Sequence, residues 1–206
     1  MSSPPDPRSF YRERIPTQWN AALASQQALG EPGRRLYEEM CAVDATIRVE
    51  VEGEGGGTFF LNVEAGCMTT GGSPAQPPFL TLLQDRRAFE RLASEAGDSA
   101  MAMLGGLSGL AGEMRLTRSR LENLSQVRGL VLFEVTGDEG WSLRTHFGPD
   151  PVPAQPTTEI RVDPEAYRDL RSGALDPQTA FLNHQIVVEG DMQVAMQLAL
   201  AAISPD

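Results

Sequence analysis

The stretch Asp163-Pro-Glu-Ala-Tyr-Arg-Asp-Leu-Arg-Ser-Gly-Ala-Leu-Asp-Pro-Gln-Thr-Ala-Phe-Leu182, continued by Ile186-Val-Val-Glu-Gly-Asp-Met-Gln-Val-Ala-Met-Gln-Leu198, decides how this chain folds. Asp163 before Pro164 is a helix start: the carboxylate accepts from orphan amides, and proline suits the first helical position. Gly173 ends that helix, and Asp176-Pro177 opens a short second one through Phe181. Residues 185–189 then alternate as a strand does, and Asp191 caps a last helix running to Ile203. In that helix only Gln193 and Gln197 interrupt a run of Val194, Ala195, Met196, Leu198, Ala199, Leu200, Ala201, Ala202 and Ile203. So apolar a helix is expected to be covered by a sheet, a ligand or a partner chain.

Upstream the same grammar occurs twice. Leu130 to Val135 and Trp141 to Phe147 read as a hairpin turned by Gly137 to Gly140, and a proline-rich connector leads to a strand at Glu159 to Val162. Earlier, Ile47, Val49 and Val51 alternate with Arg48, Glu50 and Glu52, a glycine run at 53–57 turns, and Thr58 to Val63 returns. A strand at Phe79 to Leu83 and a helix capped by Asp85 follow. The segment 100–112 is rich in Met and Gly; a strand at Glu113 to Leu116 and a helix capped by Thr117 are expected after it. Before all this, Thr17 to Gly30 and the segment from Pro32 read as helices, and residues 1–16 as a flexible arm. Two blocks thus correspond, 47–55 with 131–139 and 79–92 with 157–170; a third, 112–117 with 185–190, agrees only in its strand-to-helix logic. The expected division is an arm and helix at 1–35, a first unit at 36–125 and a second at 126–206.

Within the second unit, Leu175, Pro177, Gln178, Ala180 and Phe181, then Ile186, Gly190, Asp191, Met192, Ala195 and Met196, resemble the C-terminal pattern of the sterol carrier protein (SCP-2-like) lipid-binding family. The resemblance is strongest over 130–204, with a degenerate copy upstream. It implies an α+β fold: a mixed sheet covered by helices, in two tandem repeats, around an apolar tunnel for a sterol, fatty acid or acyl chain. Where the family has Gln-Gly-Lys before the last strand, this chain has Asn183-His184-Gln185, so either the turn is built differently or His184 takes a left-handed conformation at some cost. The first unit lacks the Pro-Gln-x-Ala-Phe motif and has the segment around Gly105 and Gly109 instead, which suits a structural partner.

Composition narrows the chemistry. Of 206 residues, 28 are acidic and 17 basic, for a net charge of -11, and every base is arginine. Phosphate backbones and anionic bilayers repel such a chain, so no nucleic-acid partner is expected, and handover to a protein suits it better than collision with a membrane. Without lysine there is no Schiff base and no P-loop cation. Cys41 and Cys67 are too few for a disulfide framework or a zinc site. His146 and His184 lack a nucleophile elbow, since Ser108 falls one residue short of the Gly-x-Ser-x-Gly spacing. Glu50, Glu52 and Glu54 read as a solvated strand face, and the arginine pairs at 34–35 and 86–87 as solvated helix faces. The polar, proline-rich start has no apolar core of a signal peptide, so a cytoplasmic protein without membrane insertion is expected.

The expectation is therefore a lipid-binding or lipid-transfer protein that is not an enzyme, with no cofactor and no metal. Phe181, Met192, Met196 and Leu200 are its candidate ligand contacts, with Trp141 and Tyr167 as walls or gates. Methionines four apart offer an adaptable apolar surface, which Met101, Met103 and Met114 extend. The alternative is an interaction or dimerisation module that keeps the fold and has no working lipid site.

Overall fold

The computed structural model describes residues 6–96 and 116–203. Eight strands form one sheet in the order β3-β2-β1-β4-β6-β5-β7-β8. Their bounds are Ala45–Val51, Gly57–Glu64, Cys67–Gly71 and Leu80–Gln84 for β1 to β4, and Gly129–Val135, Trp141–Phe147, Thr158–Val162 and Ile186–Gly190 for β5 to β8. The helices are α1 (Pro7–Ser9), a π-helical turn (Phe10–Arg14), α2 (Ile15–Ala28), α3 (Glu31–Cys41), α4 (Arg86–Ala96), α5 (Arg118–Leu124), α6 (Pro164–Ser172), α7 (Pro177–Leu182) and α8 (Met192–Ile203).

The sheet contains the same order of connection twice. The β1/β2 hairpin is antiparallel, β4 lies parallel to β1, and α4 follows β4; likewise β5/β6 is a hairpin, β7 lies parallel to β5, and α6 follows β7. Val51 stands opposite Gly57 as Val135 stands opposite Trp141. Both hairpins close the same way, Gly56 N–H donating to Gly53 O at 3.1 Å and Gly140 N–H to Gly137 O at 2.9 Å. Gly53 and Gly137 both sit at φ +93°, where a side chain would be strained. The blocks join through the antiparallel pair β4/β6, so they share one sheet and one apolar core.

Strand alternation gives this sheet two unlike faces. One carries Ile47, Val49, Phe59, Leu61, Leu82, Leu143, Phe133 and Val162, all buried, and the helices pack on it. The other carries ion pairs: Arg48 with Glu50, Arg144 with Glu52 at 3.3 Å, and Arg161 with Glu159, Glu134 at 3.1 Å and Glu189 at 3.0 Å. Such half-exposed pairs add little stability singly; they keep this face wet and the opposite one dry.

The N-terminal segment corrects the expected flexible arm over its described part. Asp6 caps α1 by accepting from Ser9 N–H at 2.9 Å, and Phe10, Tyr11 and Ile15 are buried. Pro7 and Pro16 occupy first-turn positions, where proline does no harm. The helix expected from Thr17 already begins at Ile15, so Thr17 is no cap. Sequence reading also missed β3, a five-residue edge strand with Met68 as its buried residue. Leu116 belongs to no strand; residues 113–115, the Met/Gly segment 100–112 and the third block match lie outside the described residues.

Candidate functional site

Each aspartate expected to cap a helix does so. Asp85 accepts from Ala88 N–H at 2.7 Å, Asp163 from Glu165 and Ala166 at 2.9 Å, Asp176 from Thr179 at 2.9 Å and Asp191 from Gln193 at 2.9 Å. The hydrogen bonds from Thr179 hold the Asp176 carboxyl below its ordinary range. These groups are committed to backbone amides. In the arginine pairs, Arg34 meets Glu31 and Glu38, Arg86 meets Glu90 and the Glu54 carbonyl, and Arg87 the Asp138 carbonyl.

The second block holds two groups of apolar residues. Trp141 and Tyr167, each 6% exposed, pack with Phe133 in a three-ring cluster between the β5/β6 hairpin and α6. The centroids lie 5.7 Å apart for Phe133–Trp141, 6.1 Å for Phe133–Tyr167 and 5.6 Å for the edge-on pair Trp141–Tyr167. Such offset and edge-on geometries are the favourable ones for aromatic rings. Arg171 stands 5.9 Å from the centroid of the Tyr167 ring. The cluster is placed by register, which sets Trp141 opposite Val135, and by the Asp163 cap, which starts α6 so that Tyr167 turns down onto the sheet.

The second group faces water. Among the described residues six large hydrophobics are exposed, and Phe181, Leu182, Val187, Met192 and Met196 are five of them. In α8 the buried residues are Val194 and Leu198, while Met192 (43% exposed) and Met196 (61%) stand two residues away, about 200° round the helix. Phe181 (42%) and Leu182 follow the fully buried Ala180 on α7. Val187 lies on the opposite face of β8 from Ile186 and Val188, and β8 ends the sheet. So the terminal helix, expected to be covered nearly all round, is covered on one side only over its described side chains. Phe181, Met192 and Met196 are exposed, and so is Leu182, which sequence reading did not single out. Trp141 and Tyr167 are buried against each other, and the side chain of Leu200 lies outside the described residues.

The remaining candidates are structural. His146 is buried in β6 opposite Thr81 and Leu130; burial lowers its pKa below the ordinary 6.5, and the Asp150 charge opposes this. Of the two turns open at this point, the structure has the second: His184 adopts φ +58°, the left-handed conformation, where the family pattern has glycine. Cys41 and Cys67 are free thiols. The glycine run 53–57 is the β1/β2 turn. Among the described residues no cluster of three or more His, Cys, Asp or Glu could hold a metal ion, and no helix is long and apolar enough to cross a membrane.

Residues 114–202, from just before α5 almost to the end of α8, match the model of the SCP-2 sterol transfer family. Over that segment the chain is similar to that family. The match begins upstream of the region picked out by motif and takes in α5 as well. Similar solved structures include sterol carrier protein 2 like 2 from Aedes aegypti, 18% identical, covering 39% of this chain and 91% of that one with a TM-score of 0.30. Another is the apo form of sterol carrier protein 2 from Yarrowia lipolytica, 12% identical, covering 50% and 91%, TM-score 0.31. A third is sterol carrier protein domain 2 of Helicoverpa armigera, 27% identical, covering 41% and 76%, TM-score 0.29. No curated protein matches the chain.

Proposed function

We propose that this protein binds or transfers a lipid through its SCP-2-like half, without catalysis, as a protein of the cytoplasm. The observation that carries the reading is the exposure of Phe181, Leu182, Met192 and Met196 on α7 and α8, within the matched residues 114–202. Four large apolar side chains on two consecutive helices form the kind of surface that takes an apolar partner. The driving force is transfer of hydrocarbon out of water, about 0.8 kcal/mol per methylene. Two related units, 36–125 and 126–206, build the sheet, the first serving as scaffold; the shared hairpin register and glycine turns support this.

Met196→Trp tests the reading. The larger ring on the exposed side of α8 is expected to weaken uptake of a fluorescent fatty acid at least about tenfold while leaving the oligomeric state unchanged. An altered oligomeric state in a protein that takes up no probe would instead favour the second reading. In that reading the same side chains, with the outer edge of β8, form an interface between copies.

A further inference from the structure

The two tryptophans are buried alike but satisfied differently. Trp19 donates its indole N–H to the Gly66 carbonyl at 2.8 Å. Trp141, 6% exposed, has no acceptor for its indole N–H among the described residues. Its ring neighbours, Phe133 and Tyr167, offer it edges and faces. A buried donor without an acceptor is costly, and a phenylalanine at this position would carry no such cost. No group among the described residues takes this N–H, which leaves it open to an acceptor from outside them. From the proposed lipid-binding role, on which this step rests, we infer that Trp141 is the specificity donor of the SCP-2-like half: its N–H donates to an oxygen acceptor at the buried end of the lipid. A hydroxyl, ester or carboxylate oxygen meets that requirement; a bare hydrocarbon does not.

The test is a cycle between one ligand oxygen and one protein N–H. 1-Hexadecanol and hexadecane are compared as competitors of 1-anilinonaphthalene-8-sulfonate on the wild type and on Trp141→Phe. The variant is expected to weaken hexadecanol about fivefold more than hexadecane, as one net hydrogen bond of roughly 1 kcal/mol requires. Phe133→Leu, which disturbs the same cluster and keeps the N–H, is expected to weaken both equally. If Trp141→Phe does not fold, benzothienylalanine at position 141, sulfur replacing N–H in the same ring shape, takes its place. Equal weakening of both competitors, within twofold, overturns the inference and leaves lipid binding standing. Failure of both to compete on the wild type overturns the lipid reading and this inference with it.

Discussion

At the scale of single residues, local chemistry carries most of the information. Asp85, Asp163, Asp176 and Asp191 each precede a helix, and each accepts from amides two or three positions on. That is legible because a cap acts within one turn. The burial of His146 is not legible, since it depends on β4 and β5 lying either side of β6. Its consequence is a pH dependence. Burial depresses the folded pKa below 6.5, so unfolded chains take up a proton first as pH falls. Stability conferred by the neutral imidazole is present above about pH 6.5 and is lost on acidification through the folded pKa. His146→Gln is therefore expected to lose less of its urea midpoint between pH 7 and pH 5 than the wild type does. A slope as steep as the wild type's would contradict this.

At the scale of elements, hairpins and amphipathic strands are legible and the N-terminal segment is not. Alternation of Ile47, Val49 and Val51 with charged residues, and the glycines at 53–57, give β1 and β2 within a residue or two of their ends. By contrast, β3 is stabilised by distant groups: Asn20 accepts from Met68 N–H at 2.8 Å and donates to Met68 O at 2.9 Å. The N-terminal segment obeys a similar logic. Gly57 leaves the first block without the ring that Trp141 supplies in the second. Tyr11 supplies one from outside, stacking on Phe59 at 5.2 Å, while Phe10 meets Phe89 edge-on at 5.4 Å and Gln84 donates to the Tyr11 hydroxyl. Proline-rich composition predicts an exposed arm, and four packed rings override it. Phe10→Ala should cost about 3–5 kcal/mol by urea denaturation, the range for emptying a core aromatic site. A cost below about 1 kcal/mol would mean that the segment lies loosely on the sheet.

For the whole molecule, the sheet separates two jobs. One face holds a continuous apolar core beneath the helices, and the other an Arg–Glu array exposed to water. The net charge of -11 works against close approach to an anionic bilayer. The motif picks out Phe181, Met192 and Met196, and all three side chains are exposed. The burial of Trp141 and Tyr167 in their own cluster was not legible in the sequence, because it depends on strand register and on how α6 lies over the hairpin. Native mass spectrometry of the freshly purified chain, before and after addition of dehydroergosterol and of cis-parinaric acid, tests the central claim most directly. Lipid binding predicts a copurifying apolar adduct or stoichiometric uptake of one of the two probes. The bare polypeptide mass, unchanged by either probe, would contradict it.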